Sequence, residues 1–327
     1  MIPIKGYATF DPLKICLIGR NFSGDFFKKN IKDPKVSDPL RRIADETEED
    51  YQALEKILKD ANVQTHRVDF DENKFNKDWH GRPPVCPRDH FAVIGEKFYA
   101  YQMTNFYGTF IKNIAKENLS FGNKPINVST AVIARVGKDL FWDVGKTSKQ
   151  EDIDFFKTKW NAEGFNVHVS RRGYHSDGSF CVVKPGCIVT LEDVQEYATE
   201  FPGWDVLYLP DQSWKKVHPF MQIKEKVQGR WWVPGEEDND KLIHFVNTWL
   251  TDWVGYVEET VFDVNMLSID QNTIICNNYN KEVFEHFKKH KVEPILFNFR
   301  HRYFWDGGIH CVTQDLYREG TQEDYFA

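Results

Sequence analysis

The sequence predicts a pseudosymmetric α/β array in which a hairpin, a helix and a further strand recur several times. Short runs of β-branched and aromatic residues flank tight turns at several places along the 327 residues. Helical periodicity adjoins these turns, and another short apolar run follows most of the helical stretches. This order of elements argues against a β-sandwich and against a Rossmann sheet.

Four hairpins are predicted, because in each case two apolar runs surround a turn that contains Gly, Pro, Asn or Asp. The turns lie at 95–97, 137–139, 184–186 and 270–272. The paired runs are 91–94 with 98–101, 131–134 with 140–142, 180–183 with 187–189, and 264–267 with 273–275.

The predicted helices are stretches in which Phe or Leu recurs at three- and four-residue spacing, the period of one helix face. The clearest of them are 48–62, 149–162, 241–254 and 281–290. Further strands are expected after three of these helices, at 63–70, 167–170 and 294–299.

Residues 1–327 are expected to form a single domain, because no low-complexity segment or Ser/Gly linker divides the chain. The stretch 211–240 is interpreted as an irregular insertion that carries Trp214, Trp231 and Trp232. A loop of this length is either a lid or a structural excursion, and both interpretations stay open. For Trp231 and Trp232, buried packing is favoured over lining a pocket.

Charge and composition exclude several classes of partner. A net charge of −7 and a pI near 5.9 argue against a nucleic-acid or anionic-membrane partner. No basic region followed by an apolar stretch opens the chain, and no run has the length of a membrane span. The six cysteines show no CxxC pairing and no zinc-type spacing with histidine, which favours reduced, buried thiols. We therefore expect a soluble cytoplasmic protein.

The segment Asp306-Gly307-Gly308-Ile309-His310-Cys311-Val312-Thr313 marks Cys311 as a candidate nucleophile. Two glycines let the backbone bend or approach a ligand closely, and the apolar residues after them predict a short buried strand. A nucleophilic cysteine needs such a rigid placement and a base nearby. Taken alone, the segment is more typical of a core cysteine beside a glycine turn.

A second segment, Tyr174-His175-Ser176-Asp177-Gly178-Ser179-Phe180, supplies a candidate base. His175 and Asp177 are two residues apart, and side chains with this separation share a face on an extended backbone. We therefore expect the two side chains to face one pocket, which favours a catalytic role for Cys311.

Four motifs occur in the chain in a characteristic order. They are Phe10-Asp11-Pro12-Leu13 leading to Ile18-Gly19-Arg20, then Cys86-Pro87-Arg88-Asp89, then His175-Ser176-Asp177 with Pro185-Gly186, and finally Gly307-Gly308-Ile309-His310-Cys311 with Arg318-Glu319-Gly320. In this order they resemble the amidinotransferases of the pentein superfamily, with glycine amidinotransferase as the nearest member. The resemblance extends over nearly the whole chain.

The resemblance implies the pentein fold, a five-bladed α/β propeller with a narrow central channel. It implies that Cys311 is the nucleophile and His175 the general acid and base, while Asp177 and Asp89 grip a guanidinium. The implied substrate-binding set is completed by Arg88, Asn265 and Glu259. The implied partners are a guanidino donor, such as arginine, and an amine acceptor. No metal or organic cofactor is implied, and a homodimer is allowed.

These residue types also suit amidino transfer on physical grounds. A guanidinium carbon is a poor electrophile because its charge is delocalised, and its amine leaves poorly unless it is protonated. A thiolate must attack while carboxylates hold the planar cation and an imidazolium protonates the departing amine. The cationic substrate itself would favour the thiolate form of Cys311.

The sequence departs from the family pattern at three places. Ser129-Thr130-Ala131-Val132 stands where the family has an acidic Asp-Ala-Ala-Asp segment. Val194 stands where an arginine would receive an amino acid's carboxylate, and Glu258-Glu259 replaces a serine pair. Losing one charge-assisted contact costs roughly 1.5–3 kcal/mol. Either the donor lacks an α-carboxylate, or the fold is kept with weak or altered activity.

Two alternative functions use the same scaffold. A guanidine hydrolase similar to arginine or agmatine deiminase would keep Cys311 and His175 and use water in place of the acceptor amine. A catalytically silent binding protein is the other alternative, and the altered segment 129–132 supports it. The remaining histidines considered have no evident partners in the sequence, and an extended backbone would point His310 away from Cys311; they are His80, His90, His301 and His310.

Overall fold

The structure, a computed structural model, describes residues 1–74, 82–100, 112–114, 119–121, 126–172, 175–191, 197–209 and 217–327. Five residues that the sequence brought to attention lie outside these ranges: His80, Tyr101, Tyr174, Val194 and Trp214. The first part of the expected insertion, 211–216, also lies outside them.

The described residues form fifteen strands. They are Leu13–Ile18 (β1), Gln64–Arg67 (β2), Phe91–Ile94 (β3), Lys97–Ala100 (β4), Leu119–Phe121 (β5), Ile133–Val136 (β6), Asp139–Asp143 (β7), Asn166–Ser170 (β8), Phe180–Lys184 (β9), Cys187–Thr190 (β10), Asp205–Tyr208 (β11), Leu267–Asp270 (β12), Thr273–Cys276 (β13), Glu293–Leu296 (β14) and Thr313–Arg318 (β15).

These strands form five three-stranded sheets with one shared pattern. The middle strand of each sheet pairs antiparallel with one neighbour and parallel with the other. Four sheets use consecutive strands, and the fifth joins β15 to β1 and β2 from the other end of the chain. The predicted α/β array of repeated units is therefore confirmed.

Helices and short 3₁₀ turns connect the strands. The α-helices of the described residues are Gly24–Asn30 (α1), Pro34–Asp60 (α2), Gln150–Ala162 (α3), Tyr197–Glu200 (α4), Phe220–Ile223 (α5), Asp240–Trp249 (α6), Lys281–Lys289 (α7) and Arg302–Trp305 (α8). The 3₁₀ turns are Glu72–Lys74, Pro87–Asp89, Ser176–Gly178 and Thr260–Asp263. None of the described helices combines the length and the apolar character needed to cross a membrane.

The four predicted hairpins are confirmed as the pairs β3/β4, β6/β7, β9/β10 and β12/β13. Two of their first strands begin later than predicted, at Ile133 and Leu267. The preceding residues form tight turns instead, because the Val132 amide donates to the Ser129 carbonyl over 3.2 Å and the Met266 amide to the Val264 carbonyl over 2.9 Å. The predicted later strands are the parallel outer strands β2, β8 and β14.

The predicted helix at 48–62 is only the second half of α2. Asp33 caps this helix by accepting a hydrogen bond from the Lys35 amide, and Pro34 occupies the first turn, where no amide proton is needed. The spacing of Phe and Leu missed the first half because its buried face carries Ser37, Pro39 and Thr47. The predicted helix 241–254 is also shorter in the structure and ends at Trp249.

A buried ion network joins β15, β6 and the 3₁₀ turn Pro87–Asp89. Asp315 accepts hydrogen bonds from Arg88 Nη1 over 2.9 Å and from Arg318 Nε over 2.7 Å, and it also contacts Arg135 Nη2. Although burial opposes ionisation, the three arginines hold the pKa of Asp315 well below its usual range. Arg88 Nε also donates to the His310 carbonyl over 2.7 Å, so the network fixes the backbone beside Cys311.

The described part of the expected insertion consists of turns and the short helix α5, and it ends where α6 begins. Trp231 and Trp232 are buried in the hydrophobic core that includes α8. Their rings pack against Phe304 and Tyr303, with centroids 6.1 Å and 5.7 Å apart respectively. These contacts agree with the packing role that the sequence favoured for both tryptophans.

Candidate active site

One cavity of about 240 Å³ collects side chains from four parts of the chain that are distant in sequence. Its lining residues fall within 82–89, 175–178, 256–265 and 306–311. The residues that the sequence singled out for the chemistry, Cys311, His175, Asp177 and Asp89, all line this cavity. The structure therefore brings the predicted nucleophile, base and carboxylates together.

The glycine pair lets Cys311 reach the cavity. A Cβ atom on Gly307 would lie 2.6 Å from Cys86 Sγ and 3.0 Å from Cys311 Cβ. A Cβ atom on Gly308 would lie 2.5 Å from Asn265 Oδ1. The distances of 2.6 Å and 2.5 Å are shorter than a real Cβ atom allows, so this segment passes its neighbours only without side chains at these two positions.

The predicted strand around Cys311 is a turn in the structure. The Val312 amide donates to the Gly308 carbonyl over 3.1 Å, and the Thr313 amide donates to the His310 carbonyl over 3.2 Å. Strand β15 begins only at Thr313. Since the backbone is not extended here, side chains at 310 and 311 need not face opposite sides.

Cys311 is almost fully buried, with 8% of its surface exposed. Its Sγ accepts a hydrogen bond from Asn265 Nδ2 over 3.1 Å and lies 3.5 Å from Asp177 Oδ2. Burial, followed by the negative charges of Asp177 and Asp89, raises the pKa of the thiol well above its usual value. The resting cysteine is therefore a thiol, and a nearby cation is needed to make it a thiolate.

Asp177 is a buried carboxylate that lies between the nucleophile and two other polar side chains. Its Oδ2 accepts hydrogen bonds from His310 Nδ1 over 2.8 Å and from Asn265 Nδ2 over 3.3 Å. Although burial opposes ionisation, the hydrogen bond from His310, together with the charge of His175, holds the pKa of Asp177 below its usual value.

The second oxygen of this carboxylate differs from the first in its surroundings. Asp177 Oδ1 is buried without a hydrogen bond from any part of the chain that the structure describes. Buried polar atoms are normally satisfied, so an unpaired carboxylate oxygen at a cavity suggests a bound donor. The N–H group of a guanidinium is such a donor.

His175 faces the cavity from the residue before the 3₁₀ turn Ser176–Gly178. Its side chain is 48% exposed, and its Nδ1 lies 3.8 Å from Asp89 Oδ1. Burial lowers its pKa most strongly, but Asp89, Asp177 and Asp306 outweigh that effect, and the pKa lies above its usual value. This shift favours the imidazolium form that a general acid requires.

The sequence predicted that His175 and Asp177 share a face because the backbone is extended. Both do line the cavity, but the backbone between them enters a 3₁₀ turn, in which the Gly178 amide donates to the His175 carbonyl over 3.0 Å. The expectation about the pocket therefore holds, while its geometric reason was wrong.

The expectation that His310 lacks a partner is wrong. His310 is buried, and its Nδ1 bonds Asp177, as described above. Burial first, and then the positive charge of Arg88, lower the pKa of His310 to about 4. At neutral pH the ring is therefore uncharged, with Nδ1 as the protonated, donating nitrogen.

Two of the other histidines also have contacts. His301 Nε2 lies 2.5 Å from Glu46 Oε2, so this histidine too has a partner that the sequence did not reveal. The His90 ring packs edge-on against Phe91, with centroids 6.4 Å apart. Neither histidine lines the cavity.

Three of the polar cavity residues were not assigned to the site from the sequence, and no local pattern marks them. Arg82 Nη1 lies 3.6 Å from Asp89 Oδ2, and its Nη2 donates to Cys86 Sγ over 3.1 Å. Asp306 adopts a left-handed conformation, with φ 50° and ψ 53°, at the end of α8. Tyr256 completes the set and is exposed at the cavity.

The implied substrate-binding set is only partly found at the cavity. Asn265 lines it and bonds the nucleophile. Arg88 is fully buried in the Asp315 network and is not a lining residue, so its placement does not support the implied contact with substrate. Glu259 is also buried and does not line the cavity, whereas the exposed Glu258 does.

Carboxylates dominate the charged lining of the cavity. The lining includes four carboxylates and two basic side chains. The carboxylates belong to Asp89, Asp177, Glu258 and Asp306, and the basic side chains to Arg82 and His175. Within the described ranges, Arg82 is the only arginine or lysine that lines it, and this arginine is already close to Asp89. Such a cavity attracts cations and disfavours a substrate carboxylate.

The altered segment at 129–132 lies beside the site. Ser129 is fully buried, and Thr130 donates from its hydroxyl to Gln314 Oε1 over 2.8 Å. Neither residue lines the cavity. The carboxylates that follow in β7 bond elsewhere, because Asp139 contacts His168 Nε2 at 2.7 Å and Asp143 accepts from the Arg172 amide over 3.0 Å.

The chain was compared with known protein families, curated proteins and solved structures. No protein-family model matches the chain. Mitochondrial glycine amidinotransferase of Xenopus laevis is 22% identical over 199 residues, covering 59% of this chain and 39% of that protein. The same enzyme of Gallus gallus is 22% identical over 196 residues. The matched region thus spans about two fifths of the length of these curated relatives.

Solved structures resemble this one over nearly its whole length. An amidinotransferase of saxitoxin biosynthesis from Microseira wollei has a TM-score of 0.69 at 17% identity, covering 99% of this chain and 100% of that one. Inosamine-phosphate amidinotransferase of Streptomyces griseus has a TM-score of 0.66 at 16% identity, covering 98% and 99%. A dimethylarginine dimethylaminohydrolase has a TM-score of 0.58 at 11% identity, covering 92% and 98%.

These likenesses show an α/β protein with the fold of the pentein amidinotransferases and dimethylaminohydrolases. The sequence likeness to glycine amidinotransferase and the fold likeness to two other amidinotransferases confirm the resemblance to amidinotransferases of the pentein superfamily.

Proposed function

We propose that the protein is an amidinotransferase, which moves an amidino group from a guanidino donor to an amine through an amidino-cysteine at Cys311. The observation that carries this proposal is the convergence of Cys311, His175, Asp177 and Asp89 on one acid-rich cavity. The likeness to amidinotransferases in sequence and in fold supports it. As proposed, the reaction uses no metal or organic cofactor.

Binding of the donor activates the nucleophile. The guanidinium lies against the unpaired Asp177 Oδ1 and against Asp89, which hold the planar cation in place. At about 4 Å and an effective dielectric of 20, one positive charge stabilises a thiolate by on the order of 4 kcal/mol. This lowers the thiol pKa by roughly three, which opposes the rise caused by burial and the carboxylates.

In the first half-reaction the thiol proton passes to the neutral form of His175, and the sulfur of Cys311 attacks the guanidinium carbon. A carbon–sulfur bond forms and the bond from carbon to the leaving amine breaks. The leaving nitrogen takes the proton from the His175 imidazolium, whose raised pKa suits this role. The product is an amidino-cysteine, and the free amine departs.

In the second half-reaction an acceptor amine enters the cavity in place of the departed amine. His175, now neutral, takes a proton from the acceptor nitrogen, and that nitrogen attacks the amidino carbon. A carbon–nitrogen bond forms, the carbon–sulfur bond breaks, and Cys311 leaves as a thiolate. Its proton is restored from His175, so the enzyme returns to its starting state.

The preferred donor, we propose, lacks an α-carboxylate. The described lining is rich in carboxylates, and its single arginine is close to Asp89. Glu258 stands where the resemblance expects a neutral serine, and it lines the cavity. A dicationic donor such as agmatine suits this lining better than arginine does.

A guanidine hydrolase is the second candidate, because dimethylaminohydrolases and arginine dihydrolases share this fold. Incubation with a panel of guanidines, with and without primary amines, separates the candidates. A new guanidine that forms only when amine is present supports transfer, whereas a ureido product indicates hydrolysis. If neither product forms with any guanidine, the protein is a silent binding protein and the proposal fails.

The arrangement of the five sheets and the domain organisation are also part of the proposal. We propose that the five sheets close into a five-bladed propeller around the cavity and that residues 1–327 act as one catalytic domain. The cavity draws residues from 82 to 311, which supports a single unit. A crystal structure in which the sheets do not surround the cavity would contradict closure. A homodimer and a cytoplasmic location remain predictions, which sedimentation and cell fractionation can test.

A further inference from the structure

A second cluster of chemistry-bearing side chains lies where α7 packs on a neighbouring sheet. Cys187 and Asp205 are the first residues of β10 and β11, and they are direct register partners on these parallel strands. His286 lies on α7, and His290 follows its last residue. The two histidines are four residues apart, so they share one face of the helix.

The packing of the fold brings these elements together. Val283 and Phe287 of α7 belong to the same hydrophobic cluster as Cys187 and Val189 of β10. Helix α7 connects β13 and β14 of one sheet, whereas β10 and β11 belong to another. The cluster therefore lies at a boundary between two of the repeated units.

The distances in the cluster are close to those of a metal site. One ligand atom each from Cys187, His286 and His290 lie within 4.8 Å of one another. Asp205 Oδ2 lies 2.7 Å from His290 Nε2 and 3.8 Å from His286 Nδ1. Ligand atoms around a tetrahedral zinc ion are roughly 3.3–3.8 Å apart, given bond lengths near 2.0–2.3 Å. Small side-chain rotations would close the remaining gap.

The His286 ring is buried, and its two nitrogens have different surroundings: Nδ1 faces Asp205, and Nε2 does not. Its side chain is only 7% exposed, and its Nε2 is buried without a hydrogen-bond partner among the described residues. A buried ring nitrogen without a partner is uncommon in folded proteins.

We propose that Cys187, His286 and His290 bind a zinc ion, with the carboxylate of Asp205 as the fourth ligand. One thiolate, two imidazoles and one carboxylate form a ligand set that zinc accepts in tetrahedral geometry. The Cys187 sulfur forms a bond to zinc and releases its proton to solvent. The oxidation state of the metal does not change.

One surface cation competes with the proposed ion. Lys289 Nζ lies 2.5 Å from Asp205 Oδ2, and its side chain is 68% exposed. An exposed ion pair of this kind contributes little to stability, so a divalent ion can displace the lysine. Zinc binding is therefore expected to free the Lys289 ammonium into solvent.

The proposed ion is structural and does not depend on the proposed function. None of its four ligands lines the cavity that contains Cys311. By bonding α7 to β10 and β11, the ion would connect two neighbouring units of the fold. Its binding energy would then add to the stability of the folded chain.

The test uses the full chain, freed of metal with a chelator and then titrated with zinc alone against a chromophoric competitor. We expect one zinc per chain from this site, a release of protons, and a rise in Tm with zinc concentration. Cys187→Ser and His290→Ala are expected to abolish this binding, and Asp205→Asn to weaken it about 10- to 100-fold. Lys289→Ala is expected to tighten it.

Cobalt identifies the ligand without relying on stability. Co²⁺ in the wild-type chain is expected to give a thiolate-to-metal charge-transfer band that Cys187→Ser removes. Cys311→Ala controls for the other reactive thiol, and His244→Ala controls for an exposed histidine on α6. Folding of each variant is checked by circular dichroism.

Three outcomes would overturn the proposal. They are the absence of zinc binding in the wild-type chain, binding that persists in both Cys187→Ser and His290→Ala, and binding that disappears in Cys311→Ala. Weaker binding by Lys289→Ala would contradict the assignment of Asp205.

Discussion

His310 donates a hydrogen bond from Nδ1 to Asp177 Oδ2 over 2.8 Å, so the residue before the nucleophile orients a carboxylate of the site. The same carboxylate oxygen lies 3.5 Å from Cys311 Sγ. Because the imidazole is neutral and buried, it fixes the position of the carboxylate without cancelling its charge. The charge of Asp177 can therefore disfavour the thiolate form of Cys311 when no donor is bound, and it can also attract a cationic donor.

Replacing His310 with Asn is expected to lower kcat/KM by about 10- to 100-fold, because a hydrogen bond to a charged group contributes roughly 1.5–3 kcal/mol. Steady-state kinetics with an active donor and acceptor measure this loss. His301→Asn is the matched control, since His301 is also buried against a carboxylate but lies away from the cavity. We expect the control to lower Tm and leave kcat/KM within threefold of wild type; equal kinetic losses in both variants would argue against an orienting role.

Cys311 is expected to carry the amidino group. Intact-mass spectrometry after donor is added without acceptor should show one amidino adduct, and peptide mapping should place it on Cys311. Cys311→Ala should remove the adduct and lower activity by at least about 10³-fold. Cys86→Ala, which removes the neighbouring buried thiol, should keep the adduct. An adduct on another residue, or turnover by Cys311→Ala, would exclude the proposed intermediate.

His175 is expected to titrate above its ordinary value of about 6.5. Its folded pKa is raised, with Asp89 as the largest of the raising influences, so Asp89→Asn should move the NMR titration midpoint of His175 downward. The raised pKa also means that His175 contributes stability that is fully present below pH 6.5 and is lost as pH rises through the folded value. The difference in free energy of unfolding between wild type and His175→Asn should follow this course. A difference that grows with rising pH would show the opposite shift.

Donor recognition is expected to differ from the arginine pattern. Val194→Arg would restore a partner for a donor carboxylate, so kcat/KM should rise more for arginine than for agmatine, by roughly 10- to 100-fold in their ratio. Glu258→Gln, which neutralises a cavity carboxylate, should move the ratio in the same direction by a smaller factor. A strong preference of the wild-type protein for arginine would mean that another basic residue binds the carboxylate.

Asp315→Asn is expected to destabilise the fold by about 3–5 kcal/mol, because it removes the carboxylate charge that three buried guanidinium groups share. Urea unfolding measures the change. The control is Glu236→Gln, which breaks the partly exposed pair with Arg42 and should cost no more than about 1 kcal/mol. Similar losses in both variants would mean that burial does not set the strength of the network.

The hairpins could be predicted from the sequence because each is a local event. Two apolar runs and a turn residue are enough to define β3/β4 or β9/β10. The pairing of β1 with β15 has no such local signal, since it joins the two ends of the chain. The first half of α2 was not predicted, because its start is marked by the capping residue Asp33 and not by periodic Leu or Phe.

Four of the predicted site residues that reach the cavity lie in three of the sequence motifs, whereas Asn265 was implied only by the family resemblance. Side-chain directions were harder to predict, because they were inferred from an extended backbone. Both segments instead form tight turns, so His310 faces Asp177. In the acidic pair, the exposed Glu258 and not Glu259 lines the cavity. Arg82 and Asp306 joined the site only when distant segments were brought together.

The four-residue spacing of His286 and His290 is visible in the sequence, but it does not predict a metal site unless Cys187 is known to lie beside them. The nearest of the two histidines follows that cysteine by almost a hundred positions, and only the packing of α7 on β10 brings them together. Zinc-type spacing rules look for ligands within one short segment, and this cluster is divided between two units.

The protonated resting state of Cys311 has a consequence for exposure of the protein to peroxide. Hydrogen peroxide oxidises thiolates and reacts slowly with thiols. Because the pKa of Cys311 is raised well above its usual value, we expect its thiol to react slowly with peroxide. In the proposed reaction a bound cationic donor converts Cys311 into the thiolate, and the same donor then covers the sulfur. The proposed nucleophile is therefore expected to resist peroxide both in the resting protein and when a donor is bound.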